Sequence, residues 1–394
     1  MLKHSLIATL LFTTLFGEQQ PSIENYKSLF AQQKEEFIAY KNQQYNNFEN
    51  YKKAQMQAYN EYKKELEKYW KEPKLSSKKE WVAYSKDKKT RSDVDFQNNT
   101  ITIETIAKSK NEAMKKLQKT LAKVVLVDTK TAIEKDPLEE KLSHIKKPKG
   151  MVDAKVDVKP ILAPVVFKQK PTRKSVIKYL KTNVNETTLK KEPSSKVENA
   201  FVYKVVVDLP KDTTYKRSKI YENEVRTNAS YQQLPVALIF AIMHTESAFN
   251  PKARSYVPAY GLMQIVPKTA GVDSYYYLYK IKKRPSDLYL YNAKNNVKLG
   301  SAYLHILYYS YLKSIKNPQS RLYCTIAAYN TGAGNVAWAF TKTHNVKKAA
   351  KIINTLTPQE VYDRLLRDLK YDEPKHYLQR VDKRMGIYHK IYKG

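Results

Sequence analysis

The sequence predicts an α+β protein in which a mixed α and β N-terminal part precedes a mostly α-helical C-terminal part. Segments that alternate apolar and polar residues, as strands do, lie before Pro210. After that proline, apolar residues recur at helical spacing or form unbroken runs, and no strand-rich stretch follows. The 394 residues suffice for two domains. We place them at residues 18–212 and 213–394.

The N-terminal part, residues 18–212, is expected to hold one long helix and a small sheet. From about residue 26 to residue 70, aromatic residues recur at three- and four-residue steps, which predicts a long amphipathic helix. This stripe either packs against its own domain or stacks on sugar rings, and packing is the commoner role. Alternation predicts strands at 81–85, 100–106 and 200–209, with helical spacing at 111–127. Residues 135–161, rich in Lys, Pro and Asp, predict a linker.

The first 17 residues resemble an export signal. Lys3 and His4 make a basic start, residues 6–16 are apolar apart from two threonines, and Gly17 offers a cleavage point. The stretch is too short to span a bilayer as a stable helix. An uncleaved anchor and a buried helix are the alternatives.

The chain carries a formal net charge of +33, which favours a polyanionic partner or an anionic surface. Biased composition is a competing explanation. Cys324 is the single cysteine and lies in an apolar helical run, so no intramolecular disulfide can form and a core position is expected. The seven histidines lack metalloprotease-like spacing, and the glycines form no phosphate loop. We therefore expect neither a metal nor a cofactor.

Glu246 is the most informative residue of the C-terminal part. Residues 235–243 are apolar at almost every position, which predicts a helix buried on all sides. Asn250-Pro251 forces the chain out of helix. Burial raises the pKa of a carboxyl group at the end of such a helix, which makes Glu246 a candidate proton donor near neutral pH.

Two further motifs follow Glu246-Ser247 along the chain. Gly261-Leu262-Met263-Gln264 lies on a predicted loop, and Ala328-Tyr329-Asn330 ends a second apolar helix before the predicted loop 331–334. Other helices are expected at 219–231, 293–312, 318–329 and 358–370. Thr357-Pro358-Gln359-Glu360 has the spacing of a capping box.

With these three motifs in this order, the chain resembles the lytic transglycosylases of bacterial cell walls. The resemblance implies a catalytic domain with the goose-type lysozyme fold. The segment from Trp81 to Thr105 is similar to the N-terminal domain of the membrane-bound lytic murein transglycosylase C family. That family is usually lipid-anchored through a cysteine just after its signal, and this chain has no cysteine there.

The resemblance implies a reaction that needs one carboxyl group. Asp273 and Asp287 lack apolar settings, so we read them as solvated loop charges. Glu246 would act as acid and then as base, cleaving between N-acetylmuramic acid and N-acetylglucosamine and leaving a 1,6-anhydro sugar. The implied substrate-binding residues are Ser255, Met263, Gln264, Tyr329, Asn330 and Tyr377. For Ser247 and Gly261 a structural role is favoured, since helix ending and close backbone approach explain them.

The implied partner is peptidoglycan, in the periplasm, with peripheral contact to an anionic membrane or the wall through charge. No nucleic acid is expected, because zinc-finger spacing and RNA-binding signatures are absent from the sequence. Two other functions stay open: a peptidoglycan hydrolase on the same fold and a non-enzymatic wall-binding scaffold. The oligomeric state is not predicted.

Overall fold

The computed structural model describes residues 23–255 and 258–392. The predicted export signal, residues 1–17, lies outside the described residues. The chain divides into two compact units, residues 1–57 with 145–149 and residues 58–144 with 150–394. Within the described ranges, no helix is both long and apolar enough to cross a membrane.

The predicted long amphipathic helix is confirmed as α1, Ile23–Glu67. In the first unit, Phe37 and Tyr45 of its aromatic stripe are exposed. In the second unit, Tyr62 and Leu66 are buried, and the Tyr62 ring meets the Tyr84 ring edge-on at 6.3 Å. The packing role predicted for the stripe therefore holds for its C-terminal end.

The second unit contains all seven described strands, which form one five-stranded and one two-stranded sheet. The five-stranded sheet has the order β1-β2-β3-β6-β5 and is antiparallel throughout. The strands are β1 Glu80–Tyr84, β2 Thr90–Asp95, β3 Thr100–Ala107, β4 Met151–Val152, β5 Lys190–Pro193, β6 Phe201–Asp208 and β7 Arg284–Pro285.

The predicted strands correspond to β1, β3 and β6, whereas β2 was not predicted. The sequence of β2 is mostly polar, yet its residues are largely buried. Pairing within the sheet makes this possible, because Arg91 Nε donates to Glu104 Oε2 across strands at 2.6 Å and the Thr90 and Thr105 hydroxyls bond at 2.7 Å. Buried charges are tolerated when they are paired in this way.

After α1, the helices of the N-terminal part are short apart from α2. They are α2 Lys110–Leu126, α3 Thr129–Glu134, α4 Pro137–Ser143, α5 Ala163–Val166 and α6 Arg173–Asn183. Helix α2 confirms the predicted helix and buries Leu117 and Leu121 against Ile101, Ile103 and Val205 of the sheet in one apolar cluster.

The predicted linker, residues 135–161, is wrong in part, because it contains α4 and β4. Asp136 caps α4 by accepting from the Leu138 N–H at 2.9 Å, with proline at the first helical position. This Asp-Pro pair is a helix-start signal that composition alone concealed. Strand β4 pairs in parallel with β7, so the C-terminal part also contributes a two-residue strand that was not expected.

The C-terminal part is helical, as predicted. Its helices are α7 Thr213–Ile220, α8 Glu222–Gln232, α9 Val236–Ser247, α10 Val272–Tyr279, α11 Asp287–Tyr291, α12 Ala293–His305, α13 Pro318–Thr331, α14 Ala333–Thr341, α15 Val346–Ile353, α16 Pro358–Asp368 and α17 Asp372–Ile391. Short π-helical turns precede α10 and follow α12. The capping box at Thr357 and Glu360 is confirmed at the start of α16.

The helices of this part differ from the predictions in several places. The expected helix at 219–231 is two helices that break at Tyr221. The expected loop at 331–334 is reduced to Gly332, which separates α13 from α14 with φ 87°. Helix α17 was missed, because its polar composition hides the buried side chains Tyr377, Leu378 and Val381.

Helix α9 is the centre of the C-terminal core. Seven successive side chains, from Ala237 to Met243, are buried, which confirms the predicted helix buried on all sides. Phe240 stacks on Tyr392 at 4.3 Å between ring centroids and on Tyr388 at 5.4 Å. The core thereby fixes α9 against the C-terminal segment, and Cys324 lies buried in α13 as expected.

Candidate active site

The site begins at the C-terminal end of α9. The helix stops after Ser247, because Ala248 and Phe249 adopt left-handed backbone angles, with φ 50° and 64°. The Ser247 hydroxyl donates to Leu262 O at 2.8 Å and accepts from the Phe249 N–H at 3.1 Å. Ser247 thus ties the end of α9 to the Gly-Leu-Met-Gln turn, which fits the structural role favoured for it.

Glu246 is 6% exposed in the last turn of α9. Its Oε1 accepts a hydrogen bond from the Tyr377 hydroxyl of α17 at 2.8 Å. Its Oε2 lies 3.8 Å from the Lys78 ammonium, which belongs to the segment before β1. Burial raises the pKa of Glu246 above its ordinary value, against the opposing effects of Lys78 and Tyr377. Glu246 therefore keeps its proton to a higher pH than an ordinary glutamate does.

The surrounding charges reach Glu246 from two elements. Lys78 and Lys79 come from the segment before β1, and Glu373 comes from the first turn of α17. Glu373 is exposed and pairs with Arg380 at 3.2 Å. Hence the second carboxylate that acts on Glu246 lies in a solvated position, unlike a buried catalytic partner.

The turn formed by Gly261, Leu262, Met263 and Gln264 is built on two features. Gly261 has φ 75°, and a Cβ there would lie 2.3 Å from both Asn296 Nδ2 and Leu290 O. Only glycine fits that space and backbone angle. Asn296, fully buried in α12, accepts from the Met263 N–H at 2.8 Å and donates to Tyr260 O and Leu290 O, each at 2.8 Å.

The side-chain amide of Gln264 donates its hydrogen bonds to backbone carbonyls in and beside this turn. With φ 48°, it donates from Nε2 to Ala253 O at 3.1 Å and to Gly261 O at 3.0 Å. Its buried Oε1 finds no hydrogen-bond partner within the part of the chain that the structure describes. Buried acceptors are normally satisfied, so this oxygen is suited to accept from a ligand hydroxyl or N–H group.

Met263 and Tyr329 are joined through the backbone. The Tyr329 hydroxyl of α13 donates to Met263 O at 2.9 Å. Burial raises the Tyr329 pKa, and the negative charge of Glu246 raises it further. The Met263 side chain is fully buried, and a Cβ on Gly300 would lie 2.3 Å from its Sδ. Met263 therefore backs the site from the core side.

The other two predicted binding residues are Asn330 and Ser255. Asn330 is partly buried near the end of α13, next to Tyr329. The Ser255 hydroxyl accepts from the Ala259 N–H at 3.1 Å, and the Ser255 N–H donates to Ala259 O at 3.1 Å. Ser255 thus closes the base of its loop, whose residues 256 and 257 are not described.

Among the predicted site residues, Tyr377 contacts Glu246 directly through a hydrogen bond. Met263 and Gln264 lie in one turn, and Tyr329 binds the backbone of that turn. Sequence reasoning missed Lys78 and Asn296. Lys78 is one of two adjacent lysines and belongs to no motif, whereas a buried Asn296 could have been suspected from its apolar neighbours in α12. Asp287 was also misread, because it is 7% exposed rather than solvated.

Across residues 23–255 and 258–392, no group of three His, Cys, Asp or Glu side chains is arranged to hold a metal ion. His244 is two residues from Glu246, and burial lowers its pKa to about 3. Its Nδ1 lies 3.1 Å from the Tyr388 hydroxyl, so the neutral imidazole is part of the core packing.

Comparison with known proteins identifies the family. Residues 224–352 match the family described as Transglycosylase SLT domain, and residues 46–142 match the N-terminal domain of membrane-bound lytic murein transglycosylase C. A membrane-bound lytic murein transglycosylase C from Serratia proteamaculans is 34% identical over 310 residues, covering 78% of this chain and 81% of the relative. The chain belongs to the membrane-bound lytic murein transglycosylase C family.

Other relatives agree. The protein of the same name from Shigella sonnei is 34% identical over 304 residues, covering 76% of this chain and 79% of that protein. Among solved structures, an inactive mutant of the lytic transglycosylase Slt from Pseudomonas aeruginosa is 25% identical, with a TM-score of 0.35. It covers 46% of this chain and 28% of that chain. The two family matches and the 34% identical relatives confirm the family resemblance stated from the motifs. The chain's own helices and antiparallel sheet confirm the α+β class.

Proposed function

We propose that the protein cleaves the β-1,4 bond between N-acetylmuramic acid and N-acetylglucosamine in peptidoglycan and leaves a 1,6-anhydro-muramic acid end. Membership of a lytic murein transglycosylase family supports the reaction class. The observation that carries the proposal is the buried Glu246 carboxyl, whose pKa is raised by burial and whose Oε1 is held by Tyr377.

Glu246 would act first as the acid. Its proton passes to the glycosidic oxygen as the bond from that oxygen to C1 of muramic acid breaks, and the acetamido group of the same sugar stabilises the positive charge. Ionised Glu246 then takes the proton of the C6 hydroxyl as the C6 oxygen bonds to C1. No water is consumed, and Glu246 regains its proton. One carboxyl group suffices when the substrate supplies the nucleophile.

The neighbouring residues would position the sugar. Gln264 Oε1, the buried acceptor without a described partner, would accept from a sugar hydroxyl or acetamido N–H. Tyr377 would hold the Glu246 carboxyl in one orientation. Tyr329 and Asn330 would frame the opposite side. Ser255 would contact the reacting sugar, and Met263 would keep the turn that carries Gln264 in place.

The products of digestion test the reaction. We expect mass spectrometry of fragments released from purified peptidoglycan to show anhydro-muramic acid ends, lighter by one water than hydrolysis products. Reducing-end muramic acid as the main product would instead support the hydrolase alternative, in which water attacks C1. Absence of any released fragments would support the non-enzymatic scaffold.

A Glu246→Gln variant tests the assigned acid. Glutamine keeps the shape and can still accept from Tyr377, but it cannot transfer the proton, so we expect turnover to fall about 10²–10⁴-fold. The matched control is Glu198→Gln, which neutralises an exposed carboxylate in the N-terminal part. Near-normal turnover in the Glu246 variant would remove that residue from the mechanism.

We also propose that the protein acts in the periplasm, where peptidoglycan lies. The net charge of +33 would favour the carboxylate-bearing wall or an anionic membrane surface. The division into an accessory part, residues 18–212, and a catalytic part, residues 213–394, remains part of this proposal.

A further inference from the structure

The segment that precedes β1 is held against the loop that follows Glu246. Asn250 Nδ2 lies within hydrogen-bond distance of three carbonyl oxygens of this segment, those of Ser77, Lys78 and Glu80, at 3.3 to 3.4 Å. The Arg254 N–H also donates to Ser77 O at 3.4 Å. Asn250 is fully buried, so its amide group joins the segment before β1 to the loop after α9. We call this contact the junction at Asn250.

The segment is also ordered from within. The Ser77 hydroxyl accepts from the Lys79 and Glu80 N–H groups at 3.3 and 3.2 Å and donates to Glu80 Oε2 at 2.9 Å. Phe96, just after β2, donates its N–H to Lys79 O at 2.8 Å. The backbone of Lys78 is therefore fixed on one side by the sheet and on the other by Asn250.

This arrangement places the Lys78 ammonium 3.8 Å from Glu246 Oε2. Tyr377 occupies the other carboxylate oxygen, Oε1, at 2.8 Å. The two partners come from different parts of the chain, since Lys78 belongs to the matched N-terminal domain and Tyr377 to α17. The Lys78 side chain is 46% exposed, so its long chain can adjust its distance from Glu246.

We propose that Lys78 is a positioning residue of the active site, whose ammonium group stabilises Glu246 in its ionised form after the proton has left. This inference rests on the proposed function. It gives the N-terminal domain a direct part in the reaction. The matched C-terminal domain contains Glu246, and the matched N-terminal domain contains Lys78, the cation that stabilises the negative charge of Glu246.

The physical reason lies in the two states of Glu246. Burial favours the protonated form, which suits an acid, but the same group must bear a negative charge once the glycosidic oxygen is protonated. A nearby cation favours the charged form and lowers the energy of that state. Lys78 does this without burying its own charge, because its side chain stays half in solvent.

Other charged and titratable groups face the same carboxyl and must be considered together. Glu373 raises the Glu246 pKa, whereas Lys79 lowers it. The Lys79 pKa is itself lowered to about 8, by burial first and then by the positive charges of Arg384 and Arg380. The groups that act on Glu246 are Lys78 and Lys79 before β1, Tyr329 on α13, and Glu373 and Tyr377 on α17. Arg380 and Arg384 of α17 act on Lys79.

The test compares Lys78→Met, Lys78→Arg and a control, Lys86→Met, in the full chain. Lys86 is an exposed lysine in the turn after β1, so its loss removes the same charge at the other end of that strand. In Lys78→Met we expect kcat to fall about threefold to tenfold and the alkaline limb of the kcat/KM profile to move to higher pH. Lys78→Arg should restore both, and Lys86→Met should match the wild type.

A direct titration separates this inference from the proposed function. In protein labelled with ¹³C at glutamate carboxyl carbons, the Glu246 signal is assigned by its absence in Glu246→Gln. We expect its titration midpoint to be higher in Lys78→Met than in the wild type. An unchanged midpoint would overturn the inference even if the enzyme releases anhydro fragments. A shifted midpoint supports it even if the products prove to be those of a hydrolase.

Two kinetic outcomes also count against the inference. A rise in KM with unchanged kcat and unchanged pH profile would mean that Lys78 binds an anionic group of the substrate instead. Equal losses in Lys78→Met and Lys78→Arg would mean that the lysine is needed for shape. Thermal unfolding of each variant checks that the fold is intact, and a half-exposed side chain leads us to expect little change there.

Discussion

Asn296 provides the sharpest test of how the fold holds the site. It is fully buried in α12 and makes three hydrogen bonds at 2.8 Å, from the Met263 N–H and to the carbonyl oxygens of Tyr260 and Leu290. These three bonds fix the turn that carries Gln264 and lies under Tyr329. We therefore predict that Asn296→Ala destabilises the protein and disorganises the site together.

The size of the effect follows from the lost bonds. A typical intramolecular hydrogen bond contributes about 1 kcal/mol, and a buried group left without a partner costs about 1–3 kcal/mol. Losing three bonds and leaving one N–H and two carbonyls buried gives an expected loss of about 3–5 kcal/mol. At about 2–4 °C per kcal/mol for a domain of roughly 150–250 residues, that corresponds to a fall in Tm of about 6–20 °C.

Thermal and urea unfolding measure the stability, and release of fragments from peptidoglycan measures the site. The matched control is Asn295→Ala, which removes the same amide from the preceding, partly exposed position in α12. We expect that variant to lose less than about 1 kcal/mol. A loss of similar size in both variants, or a fully active and stable Asn296→Ala protein, would refute the reasoning.

Two further predictions concern stability. Glu246→Gln should stabilise the fold at neutral pH. Burial raises the Glu246 pKa in the folded state, so the free energy of unfolding of the wild type falls as pH rises from the pKa of the unfolded state towards that of the folded state. Glutamine does not ionise and avoids that loss. Melting curves from about pH 4 to pH 8 should show the gain growing with pH, and a variant no more stable at the alkaline end would contradict it. Gly261→Ala should cost about 3 kcal/mol or more, because alanine is strained at φ 75° and its Cβ would meet Leu290 O at 2.3 Å. Gly150→Ala, with φ 86° and nothing within 4 Å, should lose only the backbone part in the same denaturation assay, and equal losses would argue against the clash.

The sequence was sufficient where one physical signal dominated. The unbroken apolar run before Glu246 could only be a buried helix, and α9 is that helix. The alternating segments became β1, β3 and β6. Strand β2 was missed because the partners of Arg91 and Thr90 lie on β3, and such cross-strand pairs are invisible until the strands are aligned. Helix α17 was missed because its polar residues outnumber the few that it buries.

Some residues of the candidate site could likewise be predicted from the sequence, and others could not. Glu246 and the Gly-Leu-Met-Gln turn can be recognised from the local sequence. Glu246 follows an apolar run, and the turn contains a glycine, which tolerates a left-handed backbone angle. Lys78 lies 168 positions before Glu246 in the chain, and nothing in its own neighbourhood distinguishes it from other lysines. Its significance comes from Asn250, which bonds the backbone of that distant segment. Tertiary contacts of this kind follow from the packing of two cores rather than from any local pattern.

The junction at Asn250 also bears on why the two matched domains occur in one chain. On the proposed mechanism, the buried carboxyl of Glu246 needs a neighbour to balance its negative charge during turnover, because only 6% of the Glu246 surface is exposed to solvent. The C-terminal part supplies Tyr377, which can donate a hydrogen bond but carries no charge while its pKa stays raised by burial. On our inference the cation comes from Lys78, whose backbone is held both by the sheet, through the Phe96 N–H, and by Asn250 in the loop after α9. On this argument the sheet is part of the active site, and loosening its contact with Asn250 should alter Glu246 before it alters the helical core.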